Sequence, residues 1–256
     1  MIEYSRLRTV GKNSVAGQQD KGQYGSKWYK LNTYGYESKA EVVCADLNYI
    51  LGVNDYVEYA ETTVMQNGVP RIACVSDDFS KPGYTIITLE ELARLKGLER
   101  LMESVEGGTA AECLKKFVDN AVTVTAKPSV AKYIWEMLWL DMIYFNIDRH
   151  INNIGFYFKD GKVDTLPFFD FGESLFSDLR IFVGVENMKF AKMYFDKWPV
   201  QPLHYTQKEM VAGLQENYKC PYDIKLVVDH IKDIDDIRIR NCLELTCGTI
   251  REVIGC

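Results

Sequence analysis

Three short groups of residues in this 256-residue chain carry side chains that could do chemistry together. Asp148-Arg149-His150 is followed by Asn153, and Asp170-Phe171-Gly172 comes after two apolar runs. Lys30 sits inside the apolar stretch KWYKL, where a lysine is unusual. Two carboxylates and an amide oxygen form a hard-oxygen set suited to magnesium. A lysine that contacts phosphates and a carboxylate that orients a hydroxyl complete the requirements of phosphoryl transfer. In this reading Asp148 orients or accepts the proton of the attacking hydroxyl, Asn153 and Asp170 hold Mg2+, and Lys30 contacts the phosphates of a nucleotide.

The elements that must position these residues are legible nearby. Asp160-Gly161 lies between the run from Ile154 and the run ending at Phe169, a strong signal for a two-residue hairpin turn. Such a hairpin pairs residues whose numbers sum to about 321. Asp170 then lies opposite Ile151 and Asn153 opposite Phe168, with Pro167 able to shift the register by a residue. Asp148, Asn153 and Asp170 should therefore gather at the open end of one hairpin, spanning 148–172. The segment Ser129 to Asn146 is apolar nearly all round and reads as a buried central helix leading into Asp148.

Upstream, residues 2–10 read as a short strand and 11–26 as a polar, glycine-containing loop without GxGxxG. Such a loop folds over phosphates in some proteins and is a plain surface loop in more. A strand is expected at 27–31 and an amphipathic helix at 36–51, with Ala40, Val43, Leu47 and Ile50 on one stripe. Glu41 has two readings. It completes a capping box with Ser38, or it faces Lys30 and orients it, with Glu37 as the other partner one turn earlier. Two strands, 56–64 and 69–75, flank the turn Gln66-Asn67-Gly68. The polar stretch 76–83 marks a boundary between a first lobe, 1–80, and a mainly helical second lobe, 81–256. Thr88, Thr109 and Ser129 are helix caps there, and 186–197, 207–217, 223–233 and 235–254 have helical periodicity. His150 reads as a loop-fixing group. Arg149 either neutralises a carboxylate or binds phosphate.

Composition narrows the classes. A net charge of −6 gives no sign of direct nucleic-acid binding. No apolar run reaches membrane-spanning length, and Glu136 and Asp141 interrupt the most apolar one. The N-terminal residues carry no apolar signal core. Seven scattered cysteines without CxxC suggest a reduced, cytoplasmic protein, with secretion as an effector left open. The expected fold is α+β and bilobal, a small mixed sheet-and-helix lobe ahead of a helical lobe.

At D-R-H-I-N-N, at P-F-F-D-F-G, and at WYKLN, GYESKAEVVCADL and CVSDDF, the chain resembles the HipA-like serine/threonine kinases. The resemblance implies a protein-kinase-like fold, ATP with magnesium, and phosphate transfer to a protein serine or threonine. It makes Asp148 catalytic, Asn153 and Asp170 metal-binding and Lys30 ATP-binding, and places adenine against the backbone of Cys74, Val75 and Ser76. It further implies a compact form without the extra N-terminal subdomain of longer members. A partner or antitoxin chain would then supply the missing part. Ser14 is the nearest counterpart of the family's autophosphorylated serine. There is no HRDLxxxxN and no APE, so the segment after Asp170 should be short. A phosphoinositide-type lipid or small-molecule kinase shares the DRHxxN and DFG pattern, and a non-catalytic pseudokinase is the reading from another class.

Overall fold

The computed structural model describes residues 2–9, 20–103, 105 and 107–255. The N-terminal part is a six-stranded sheet in the order β1-β5-β6-β4-β3-β2. Its strands are β1 (Ile2–Glu3), β2 (Arg8–Thr9), β3 (Lys21–Tyr24), β4 (Lys27–Leu31), β5 (Ala60–Gln66) and β6 (Val69–Asp77). β1 runs parallel to β5, and the other neighbours are antiparallel. Asn67 and Gly68 both have positive φ, which a tight turn matched to strand twist requires.

Details differ from the sequence reading, and the strand expected at 56–64 runs from Ala60 to Gln66. Residues 2–10 do not form one strand, because a 3-10 turn, Tyr4–Arg6, interrupts it. Within 11–26, Lys21–Tyr24 is a strand paired with β4 through a Gly25-Ser26 turn. Its polar composition hid it, since glycine and glutamine are poor strand formers and only one face is covered.

Helix α1 (Glu37–Ile50) crosses behind the sheet. Its buried residues Cys44 and Leu47, with Leu51 just beyond, belong to the large core of the helical part. The sheet keeps a much smaller core of its own, Leu7, Leu31, Val64 and Ala73. So α1 packs on β4, β5 and β6 and also sends side chains into the core of the helical part.

After β6 the chain passes through 78–84 into β7 (Thr85–Thr88), a strand that the sequence reading missed. β7 pairs with the hairpin β8 (Gly155–Lys159) and β9 (Lys162–Thr165) in a three-stranded sheet. The helices that follow are α2 (Leu89–Leu95), α3 (Glu99–Glu103), α4 (Ala110–Thr125), α5 (Val130–Tyr144), α6 (Met188–Phe195), α7 (Gln207–Asn217), α8 (Ile224–Ile231) and α9 (Ile237–Ile254). A two-stranded ladder, β10 (Pro199–Val200) with β11 (Tyr205–Thr206), lies between α6 and α7. Capping boxes start α2 at Thr88 with Glu91 and α4 at Thr109 with Glu112. Ser129 stands at the N-cap of α5 without a side-chain cap bond.

Helix α5 buries 12 of its 15 residues, leaving only Ala131, Lys132 and Glu136 toward solvent, and forms the axis of the core. Its C-terminus hands the chain to the loop that carries Asp148. Among the described residues no helix is long and apolar enough to cross a membrane, and the described cysteines are free thiols.

Candidate active site

The hairpin turn at Asp160 and Gly161, both at positive φ, fixes a ladder of Phe156 with Thr165, Tyr157 with Asp164 and Lys159 with Lys162. This is the register expected from the turn. The ladder then ends. Leu166 and Pro167 leave it, and Phe168 instead bridges Tyr56 in parallel. The backbone N–H of Phe168 donates to the carbonyl of Asp55, and that of Val57 donates to Phe168. Asn153 therefore does not pair with Phe168, nor Asp170 with Ile151. A proline has no N–H to continue the ladder. Asn153 belongs to a 3-10 turn, Ile151–Asn153, and Asp170 adopts positive φ.

Side chains still converge from these three places. Asn153 Nδ2 donates to the carbonyl of Asp148 at 2.7 Å and to its Oδ2 at 3.0 Å. Asp170 Oδ1 accepts from Lys30 Nζ at 2.8 Å, and Lys30 also donates to Glu41 Oε1 at 2.5 Å. Glu41 Oε2 accepts the backbone N–H of Phe171 at 2.9 Å. The rival readings of Glu41 are thereby separated. It makes no capping box with Ser38, and it is the partner of Lys30. Glu37 instead accepts the backbone N–H groups of Thr33, Tyr34 and Gly35 ahead of the helix.

The electrostatics follow from burial against charge. Burial alone would lower Lys30, but Asp170 and Glu41 raise its ammonium well above the ordinary range. Burial opposes ionisation of Asp170, yet Lys30, Lys21 and Arg149 hold that carboxyl well below the usual carboxylate range. Asp148 is pushed upward by burial and by the nearby Asp170, against the pull of His150. A carboxylate with a raised pKa is the better proton acceptor of the two.

The oxygens left unspent matter for a metal. The amide nitrogen of Asn153 is committed to Asp148. Among the described residues no hydrogen bond reaches Asn153 Oδ1, Asp170 Oδ2 or Asp148 Oδ1. That donor set is entirely oxygen and fits a hard divalent ion. Among the described residues no group of three or more His, Cys, Asp or Glu side chains could hold a metal ion. A divalent ion here would therefore need oxygens from its substrate as well.

Behind the loop, Arg149 and Asp141 form a buried pair, 1% and 0% exposed. The guanidinium donates to both Asp141 oxygens and to the carbonyls of Asn153, Phe169 and Asp170. Arg149 thus ties the Asp148 loop to the arm carrying Asp170 and has no face left for a phosphate. Asn146 reinforces the corner through Asp141 and the Asp148 N–H. His150 Nδ1 accepts the Asn152 N–H, which fixes the turn as expected.

A cavity of about 300 Å³ opens beside Lys30 and Asp170. Trp28, Ile86, Phe79 and Phe169 give it apolar walls, and Lys21, Ser76 and Asp78 give it polar ones. Neither Cys74 nor Val75 lines it. β6 is flanked by β4 and β5 as far as Val75, so the backbone of Cys74 and Val75 is already paired. The edge of β6 facing β5 is free only from Ser76 onward. Cys74 is fully buried, and burial pushes its thiol up to about 12. Of the three residues that the sequence reading set against adenine, Ser76 lines the cavity and Cys74 and Val75 do not.

Sequence reasoning also missed Lys21. It stands directly across the ladder from Lys30 and lines the same cavity. Burial lowers its ammonium, with Asp170 opposing. Recognising 21–24 as a strand would have found it, because antiparallel partners share a face. Tyr59, whose ring lies 5.2 Å from Lys30 Nζ, was also missed, because it precedes β5 and reaches Lys30 only through the fold. Ser14 falls outside the described residues.

No protein-family model matches the chain, and no curated protein matches it in sequence. Solved structures do. The structure resembles the Helicobacter pylori proinflammatory kinase CtkA with a TM-score of 0.62 at 16% identity, covering 99% of this chain and 96% of that one. It also resembles HipA in the Shewanella oneidensis MR-1 toxin–antitoxin complex with HipB and operator DNA. There the TM-score is 0.52 at 15% identity, covering 96% of this chain and 68% of HipA. The chain has the α+β fold of the HipA-like kinases.

Proposed function

We propose that the protein is an ATP- and magnesium-dependent kinase that transfers the γ-phosphate to a serine or threonine hydroxyl of a protein. One observation carries the reading. Lys30, held between Glu41 and Asp170, borders the cavity, and Asp148, with Asn153 bonded to it, lies near enough to Asp170 for their charges to interact. The fold shared with CtkA and HipA supports it.

The adenine would lie between Trp28, Ile86, Phe79 and Phe169, against the free edge of β6 at Ser76 to Asp78. Lys30 and Lys21 would bind the phosphate oxygens. Asn153 and Asp170 would hold Mg2+, which supplies neutralisation of the charge on the transferred group. Asp148 would orient the acceptor hydroxyl and take its proton, a task suited to the most exposed carboxylate of the cluster. Transfer to the acceptor hydroxyl then depends on positioning and fixed charge, with no covalent enzyme intermediate on the way.

HipA stands in its structure with HipB and operator DNA, so an antitoxin-like partner chain belongs to this proposal. The acidic net charge bears on direct DNA contact by this chain only. Cytoplasmic residence with reduced thiols remains part of the proposal.

Incubation with γ-labelled ATP and Mg2+ tests the function. Label should enter the protein itself or an added protein substrate, and chelation should stop it. Mass spectrometry would identify the acceptor, with Ser14 the first candidate. No transfer to the chain or to a broad protein panel, with either magnesium or manganese, would overturn the proposal.

A further inference from the structure

The segment after Asp170 is bolted to both halves of the molecule. On one side, Arg238 of α9 donates to the carbonyls of Phe176 and Phe182, and Asn241 donates to those of Val185 and Glu186. On the other side, Asp178 forms an antiparallel bridge with Gly35. The Leu179 N–H donates to Tyr34, and the Tyr36 N–H donates to Ser177. Arg180, held by Asp178, lies over the Tyr34 ring. Leu179 packs so closely that a Cβ on Gly35 would fall 2.4 Å from its Cγ, and Gly35 has φ of +141°. Only glycine fits there.

The loop so gripped, 33–35, is the one whose N–H groups Glu37 collects at the start of α1. One helical turn later Glu41 accepts the Phe171 N–H and holds Lys30. Helix α1 is thus tied to the 171–180 segment at two points a turn apart. Two such points fix its rotation as well as its distance, and with them the place of Lys30.

In many kinases a phosphorylated hydroxyl orders this kind of segment. Residues 173–187 read ESLFSDLRIFVGVEN and contain two hydroxyls only, Ser174 and Ser177. They are 0% and 2% exposed. Neither can carry a phosphate without displacing the packing around it.

We infer that Leu179 and Arg180 are positioning residues that set Lys30 and Glu41 for transfer by packing on Tyr34 and Gly35, with no phosphorylation of the segment required. This rests on the proposed kinase activity, but its test does not depend on that activity alone. Leu179 is 40% exposed, so Leu179→Ala removes little buried surface and should leave the melting temperature near that of wild type. Amide exchange at Tyr36 and Phe171 should accelerate in the variant. The transfer rate constant should fall by about tenfold or more, with KM for ATP changed far less. Leu179→Met should restore both readouts. Mass spectrometry after MgATP treatment should find no phosphate on the 173–187 peptide. Unchanged exchange at Tyr36 and Phe171 in Leu179→Ala overturns the inference, whether or not the wild type transfers phosphate. Phosphate on Ser174 or Ser177 in the folded protein overturns it equally. Wild-type protein that neither binds nor transfers ATP would instead defeat the kinase proposal, leaving the exchange result to decide the positioning role.

Discussion

Two ion-paired clusters stand on either side of the Asp170 arm, and they differ in what they leave unspent. Arg149 with Asp141 is sealed in the core, and its donors are shared among a carboxylate and three backbone carbonyls. Lys30 with Glu41 and Asp170 opens onto a cavity, and its side chains are 13%, 0% and 30% exposed. The first cluster is scaffold. It joins the loop of Asp148 to the arm of Asp170 and has nothing left to offer a ligand. The second keeps bonding capacity beside the cavity, because Asp170 retains an unbonded oxygen and Lys30 a third ammonium proton. Burial and charge pairing alone do not mark a site, since structural pairs share both. Remaining bonding capacity at a cavity does.

The contrast can be broken by removing the cation from each cluster. Arg149→Met leaves Asp141 buried and unpaired and should cost about 3–5 kcal/mol of stability, read by denaturant unfolding. Lys30→Met should cost clearly less, because Asp170 reaches solvent and Glu41, already raised by burial, can take a proton. It should instead abolish the thermal shift that MgATP gives the wild type. Equal stability losses, or an unchanged MgATP shift in Lys30→Met, would erase the distinction between scaffold and site.

A smaller effect sharpens the same picture. Burial, then Asp178, Glu37 and Asp148, push Glu173 up to about 8. Its folded pKa lies above its unfolded value, so the native state binds more protons between the two. Stability is therefore lost as pH rises from the ordinary glutamate range to about 8, and the loss is complete above it. Glu173→Gln has no such loss. Its stability relative to wild type should rise across that window and level off beyond, as measured by urea unfolding at stepped pH. A flat difference would place Glu173 in a solvated, unperturbed setting.

How much of this was legible in the sequence depended on how local the determinant was. The hairpin register came through, because two positive-φ residues at Asp160 and Gly161 dictate it. Its continuation did not, because Pro167 ends the ladder and the partner of Phe168 is Tyr56, far away in sequence. Lys30 stood out as a charge in an apolar strand. Lys21 did not, because a polar strand on a one-sided sheet looks like a loop. The pairing of Glu41 was undecidable from spacing, since Ser38 offered a capping box that the fold does not form. Cys74 and Val75 are kept from the cavity because β6 is paired on both edges there, by β5 across its own hairpin and by β4 from much earlier in the chain. The place of α1 in the helical core was hidden likewise, since its apolar stripe does not say which layer covers it.

In the proposed mechanism labour in the cleft is divided, with Asp170 holding the metal-bound nucleotide and Asp148 serving the transfer. The most direct measurement is calorimetric titration of MgATP into Asp148→Ala and Asp170→Ala, with phosphate transfer assayed on the same preparations. Asp148→Ala should bind MgATP with affinity close to wild type and lose transfer by about 10²–10⁴-fold. Asp170→Ala should lose both binding and transfer. Wild-type affinity in Asp170→Ala, or transfer surviving in Asp148→Ala, would contradict the account.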